Sequence, residues 1–382
     1  MNPRLVLLAV GLAFSLSVSV AAAQSCLEEV GAWRYGVSND VAAEGDRGVL
    51  ANGAVLQVLD LTTPTAPAIV GEVDLAYEID AVALSGAYAF AVETTRLHVV
   101  DLSGPEPIVV GVLDGTRASV IDVEGDFVYL ISDTLSIVDV STPGAPTLRG
   151  QVVWGFWQRD IRVESGYAYV IDQDDGLRVV DVSNPDAPTQ ITVLDLGAST
   201  NAERIDVAGG YAYVIGWTWV AGTGAVHELF VVDLTDPTLP VLVTSPTTAS
   251  SEDIVVRQGV AWLADSSWLH AYDVADPQSP SHLGSSQLGS DFESQELRMA
   301  AINGHALVTR DRIGLTVVDL TDPTDPLPVA SVDVPGWIED ATTDDGVLAI
   351  AGLERGVRLV DVYHPAGPTE LGFTDLGGAV WG

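Results

Sequence analysis

Short apolar runs, each closed by a polar turn, recur along this chain with little of the three-to-four-residue spacing that marks a helix. One run ends on aspartate each time it returns: Val58-Leu59-Asp60, Val99-Val100-Asp101, Ile137-Val138-Asp139, Val179-Val180-Asp181, Val231-Val232-Asp233, Ala271-Tyr272-Asp273, Val317-Val318-Asp319 and Leu359-Val360-Asp361. Successive copies lie 38 to 52 residues apart. Most are followed by Ser or Thr and a proline, as in Ser183-Asn184-Pro185, and often by a second proline three residues on, as at Pro188. Proline has no amide hydrogen for a ladder, and Asp, Asn and Ser side chains bond back to the main chain. This chemistry therefore ends a strand and starts a turn.

One repeat reads as four strands, over residues 69–75, 80–84, 88–92 and 97–102, with Ser85-Gly86 closing the second. Their β-branched and aromatic content suits strands. Several are apolar on both faces, as from Ile161 to Ile171, which is the pattern of a sheet covered on both sides. Four-stranded units of about 42 residues stacked face to face make an all-β fold, the β-propeller. Eight copies favour eight blades, with seven blades and one irregular unit as the alternative. The chain's 382 residues also exceed what one conventional core organises, a limit that radial repetition avoids.

The segments Ser165-Gly166-Tyr167-Ala168-Tyr169-Val170 and Gly176-Leu177-Arg178-Val179-Val180-Asp181-Val182-Ser183-Asn184-Pro185 resemble those of the LVIVD-repeat propellers. Ser85-Gly86-Ala87-Tyr88-Ala89-Phe90 and Gly314-Leu315-Thr316-Val317-Val318-Asp319-Leu320 repeat the pattern. The resemblance covers nearly all of residues 30–382. It implies that the second strand of each repeat lines a central channel and that the first is the outer strand of the preceding blade. Blade 1 would then start after Ser38 and be closed outside by residues 69–75. Blade 8 would be closed by residues 371–376, by residues 30–35, or by a contest between them, leaving 377–382 as a stub. The family is often extracytoplasmic and implies no catalytic motif.

The N-terminus changes the picture of where the protein works. Arg4, an apolar stretch over residues 5–20 and Ala21-Ala22-Ala23 together read as a secretory signal peptide, residues 1–23, cleaved before Gln24. Residues 24–382 then form a single propeller domain that is secreted, periplasmic or at the cell surface. No later segment is long and apolar enough to be a membrane helix. The only cysteine, Cys26, rules out an intrachain disulfide and a cysteine-cluster zinc site.

Charge excludes one class of partner. The chain has 53 carboxylates against 16 arginines and no lysine, for a net charge of −37. Nucleic acid needs a basic surface, so it is not a partner. Catalytic constellations are lacking too: the six histidines have no metal spacing, no G-x-S-x-G elbow is present, and Asp174-Asp175-Gly176 reads as a hairpin turn. His98 and His270 hold equivalent strand positions and read as packing. The repeated aspartate before each Ser/Thr-x-Pro segment reads as a turn cap.

Two distributed features remain. A polar residue recurs at the entry of the channel strand: Asn39, Asp80, Ser119, Asp160, Glu203, Asp253, Arg298 and Asp340. Asp80, Asp160, Glu203, Asp253 and Asp340 would ring one channel mouth, where crowded carboxylates raise one another's pKa or recruit a cation such as Ca2+. The alternative is that each caps its own turn. The loops expected on the same face carry Trp154, Phe156, Trp157, Trp217, Trp219, Trp268 and Trp337, and aromatics left in water mark contact sites. The alternative is that several pack between blades. Arg298, Arg310 and Arg312 break the acidic pattern. These residues predict an exported, non-catalytic binding or scaffold module that recognises an extracellular protein, peptide or carbohydrate through an acidic, aromatic-bearing face. The competing expectation is a secreted hydrolase or lyase with its site at the channel mouth.

Overall fold

The computed structural model describes residues 38–375 except 94, 156–157, 174, 198, 289–296, 311–313, 334–337, 345–346, 353–355 and 362–368. The expected leader at 1–23, residues 30–35, the expected stub at 377–382, Phe156, Trp157, Arg312 and Trp337 thus lie outside the described residues, as do the side chains of Arg310 and Asp340.

Eight antiparallel four-stranded sheets follow one another, each running in chain order from first strand to fourth. Seven of them close the propeller. Their inner strands are Ser38–Glu44, Ile79–Ser85, Val120–Glu124, Gln158–Glu164, Thr200–Ala208, Asp253–Arg257 and Leu297–Ile302. Their outer strands are Ala68–Asp74, Ile108–Asp114, Thr147–Val153, Thr189–Leu194, Val241–Thr244, Ser281–Gln287 and Leu327–Asp333. The outer strand of each blade is thus the first strand of the next sequence repeat, as expected.

The hydrophobic core is divided among the seams between blades. Tyr129, Ile137, Ile161 and Val170 fill the seam of blades 3 and 4, and Tyr213, Leu229, Ile254 and Leu263 that of blades 5 and 6. The decisive seam joins blade 7 to blade 1: Ile302, Leu307, Leu315 and Val317 pack with Val41, Leu50, Leu59 and Leu61. Asn303 Nδ2 donates across it to Gly45 O at 2.9 Å and Asp46 Oδ1 at 3.0 Å. This corrects the favoured count: the propeller has seven blades, not eight. The eighth repeat does form a sheet, from Ile338–Asp344 to Thr369–Asp375, but no place is left for it between the seventh blade and the first.

Local chemistry explains why every blade turns alike. In each of the seven ring blades the repeated aspartate accepts, through Oδ1, the backbone N–H two residues on, at 2.8–3.0 Å. The proline turn that follows packs into the neighbouring blade. A Cβ on Gly111 would lie 2.0 Å from Pro143 O, and one on Gly150 2.3 Å from Pro185 O. Glycine in these outer strands is therefore the space that receives the next blade's turn.

Candidate functional site at the channel mouth

Antiparallel order puts the start of every inner strand and every hairpin between second and third strands on one face. The channel below that face is a cavity of about 200 Å³. Five aspartates (40, 122, 160, 206 and 253) and five arginines (159, 162, 204, 257 and 298) line it, beside alanine, valine and other apolar side chains. Nearly a third of the chain's arginines are thus gathered in the channel or at its rim, in a strongly acidic protein.

The five aspartates share one geometry. Oδ1 accepts the N–H of the next residue, and Oδ2 accepts an inner-strand N–H of the next blade. Asp160, for example, takes Ile161 N and Ile205 N, both at 2.9 Å. Asp253 takes Ile254 N at 2.8 Å and Met299 N at 2.6 Å. These charge-assisted bonds tie each blade to the next and satisfy amides that a strand facing a channel leaves unpaired. Where burial dominates, the carboxyl is pushed up, to about 6 for both Asp40 and Asp122, even with arginines nearby that oppose the shift.

Among the described residues the carboxylates expected to form a ring do not converge, and backbone register is the reason. A β-bulge at the start of the inner strand sets Asn39, Asp80, Arg159 and Glu203 apart from the channel-facing Asp40, Ala81, Asp160 and Arg204. Asp80 is exposed at the rim, and Glu203 is occupied by Trp217, whose Nε1 donates to Oε1 at 3.1 Å. Asp160 and Asp253 lie deeper, each committed to two backbone amides. Among the described residues no three acidic or histidine side chains gather as metal ligands. The level of Asp160 instead alternates in sign around five neighbouring blades: Asp160, Arg204, Asp253, Arg298, Asp40. The sequence pointed to Arg298 but not to Arg204, because the bulge hides their equivalence.

The aromatic residues divide in the same way. Trp154 is half-buried against the seam of blades 3 and 4, with the Arg178 guanidinium 5.6 Å over its ring, and so packs. Trp217 and Trp219 sit on the second strand of blade 5, Tyr211–Val220, which with Gly224–Asp233 makes an overlong hairpin. They share the strand face whose lower residues, Tyr213 and Ile215, pack on blade 6. Trp268 lies on the third strand of blade 6, on the face that sends Tyr272 towards blade 5. The two faces therefore look at one another across a single seam. Trp219 is 61% exposed and Trp268 41%.

Acidic groups surround this seam. Burial, then the charges of Asp265 and Glu203, push Glu252 up to about 7, and its Oε2 is enclosed without a hydrogen-bond partner among the described residues. Trp268 stacks on His270 with ring centres 6.4 Å apart. His270 Nδ1 and His282 Nε2 both reach the Ser285 hydroxyl, at 2.7 and 2.8 Å, an arrangement the sequence did not signal. Burial holds His270 below the ordinary imidazole range. Arg310 ends the second strand of blade 7, opposite Leu297 and Gly314.

The repeats can now be placed among known proteins. The model of the LVIVD repeat matches residues 79–113, 115–153, 158–194 and 199–248. The chain carries LVIVD repeats. The matched segments span blades 2 to 5, including the long hairpin of blade 5. No curated protein matches the chain by sequence. Solved structures similar to this chain include a functionally unknown protein from Desulfotomaculum acetoxidans, at TM-score 0.60 and 14% identity, covering 80% of this chain and 99% of that one. BamB from Moraxella catarrhalis matches at TM-score 0.53 and 12% identity, over 82% and 90%. PorZ, a bacterial surface component of the type-IX secretion system of Porphyromonas gingivalis, matches at TM-score 0.56 and 13% identity, over 90% of this chain and 46% of PorZ. At these identities the likeness is one of fold. Among the described residues no helix is long and apolar enough to cross a membrane.

Proposed function

We propose that this LVIVD propeller is an exported, non-catalytic binding module that holds a basic segment of a secreted protein or peptide at the channel-mouth seam of blades 5 and 6. The observation that carries the reading is the pairing of exposed Trp219 and Trp268 on facing sides of that seam, with Glu203, Glu252 and Asp265 around them. Indole faces attract cations, and carboxylates beside them select a lysine or arginine side chain over a neutral one. The leader-like sequence of residues 1–23 and the similarity in fold to a surface component such as PorZ support an extracytoplasmic address. The test is a pull-down and titration with secreted proteins and basic peptides, using Trp217→Ala/Trp219→Ala and Trp268→Ala variants. A loss of at least about tenfold in affinity, ~1.4 kcal/mol, is expected for each. Unchanged binding in both, or equal capture of neutral glycans, rejects the reading.

A hydrolase at the same seam is the second reading, favoured by the Ser285 hydroxyl between His270 and His282. Ester turnover that disappears in Ser285→Ala would establish it in place of the binding module.

A further inference from the structure

The channel's aspartates account for only some of its arginines: Arg162 pairs with Asp160 and Asp206, and Arg257 with Asp206. Arg204 and Arg298 flank Asp253 on neighbouring inner strands, yet neither is in an ion pair among the described residues. Arg204 spends Nη1 on the carbonyls of Glu203 and Arg159, at 2.9 and 3.3 Å, and Arg298 spends Nη1 on Leu297 O at 2.9 Å. Arg204 Nε is shut off from solvent and has no hydrogen-bond partner among the described residues. Both oxygens of Asp160 and of Asp253 accept backbone amides, and the one arginine among the described residues that Asp160 Oδ1 also reaches is Arg162, at 3.3 Å. Burial, and then the like charge of Arg298, hold Arg204 below the ordinary guanidinium range, although the charges of Asp160, Asp253 and Glu203 oppose the shift. A desolvated guanidinium with an unfilled donor is costly in a folded protein, and Arg204 is one, in a cavity that Arg298 also lines.

We propose that the channel binds a small organic carboxylate between Arg204 and Arg298. A guanidinium offers parallel donors that match a carboxylate's two oxygens, so one carboxylate between the two arginines offsets the repulsion between them. The cavity, about 200 Å³, has room for a dicarboxylic acid or a sugar acid and not for a protein segment. A more highly charged phosphate is disfavoured, because Asp40, Asp160 and Asp253 line the same level. Apolar lining from Ala81, Ala83 and Met299 suits the carbon skeleton. The site is separate from the tryptophan seam, so Trp219→Ala should leave it intact and either proposal can fail alone.

The test is calorimetric titration of the mature chain with sodium succinate and sodium glucuronate, against inorganic phosphate and sodium chloride at matched ionic strength. Saturable binding of at least one carboxylate is expected, weakened about tenfold or more by Arg298→Gln and by Arg204→Gln. Arg96→Gln, whose parent pairs with Asp114 outside the channel, should bind as the wild type does. Arg298 makes fewer protein contacts than Arg204, so Arg298→Gln decides the matter if Arg204→Gln does not fold. The proposal is overturned if neither carboxylate saturates up to about 10 mM, if Arg298→Gln binds unchanged, or if phosphate binds more tightly than both.

Discussion

Asp40 accepts Val41 N at 2.9 Å and Val82 N at 2.8 Å, yet its carboxyl sits at about 6 because burial outweighs those bonds. Asp122 behaves alike, and Glu252 reaches about 7. In each case the folded state holds its proton more firmly than the unfolded chain. The stability these groups contribute is therefore present below the unfolded pKa, near 4, and lost as pH rises through about 6 to 7. The turn aspartates Asp60, Asp101, Asp139, Asp233 and Asp319 are shifted the other way, by bonds from the Ser or Thr two residues on, and lose their contribution only when pH falls below the ordinary range. Melting temperature should therefore be higher near pH 5 than near pH 8. Asp40→Asn should lower it overall, by removing an acceptor, while shrinking the difference between the two pH values. A melting temperature that climbs from pH 5 to pH 8, or an Asp40→Asn difference as large as the parent's, contradicts this account.

Whole elements were more legible than their registers. The strand at 97–102 was readable because Val99-Val100-Asp101 precedes Ser103 and a proline turn, and local chemistry of that kind needs no tertiary partner. The inner strand was harder. Asp80 and Asp160 look equivalent by distance from the preceding strand, but the bulge between Ile79 and Ala81 moves Asp80 out of the channel level. A bulge leaves no reliable trace in an apolar pattern with a two-residue period, since one extra residue reverses the face of everything before it. The outer-strand glycines show the opposite case, where a small residue reports a tertiary contact. Gly150→Ala should destabilise the fold by about 1–3 kcal/mol or more, as overpacking does, because its methyl would meet Pro185 O and Pro188 Cδ at 2.3 and 2.5 Å. Gly104→Ala, whose nearest neighbour would be Glu106 O at 3.6 Å, should be nearly silent. Urea denaturation of the two variants measures the contrast, and equal midpoints would mean the blades can separate to admit the methyl.

Blade count is a property of the whole molecule, and the repeat alone does not determine it. Leu359-Val360-Asp361 has the same local pattern as its seven predecessors and builds the same kind of sheet. Closure depends instead on whether Leu61 and Leu59 meet Leu315 and Val317, a contact between residues more than 250 positions apart. A chain ending at Asp333 retains every seam of the ring and should melt cooperatively; one ending at Gln287, which loses the blade 7 seam, should not. Failure of the longer truncation to fold would make the eighth sheet part of the propeller. The same whole-molecule view governs salt. Five aspartates and five arginines balance one another in the channel, so the net charge of −37 falls on the rest of the molecule, and its self-repulsion opposes the compact state. Melting temperature should rise with sodium chloride as the Debye length shrinks. The sequence pointed further, to an added effect of calcium at a carboxylate ring. Asp160 and Asp253, however, have both oxygens on backbone amides, and Glu203 holds the Trp217 indole. Calcium chloride at matched ionic strength should therefore add little beyond screening. A saturable rise at millimolar calcium, absent with sodium, would show that carboxylates elsewhere on the molecule converge on a cation.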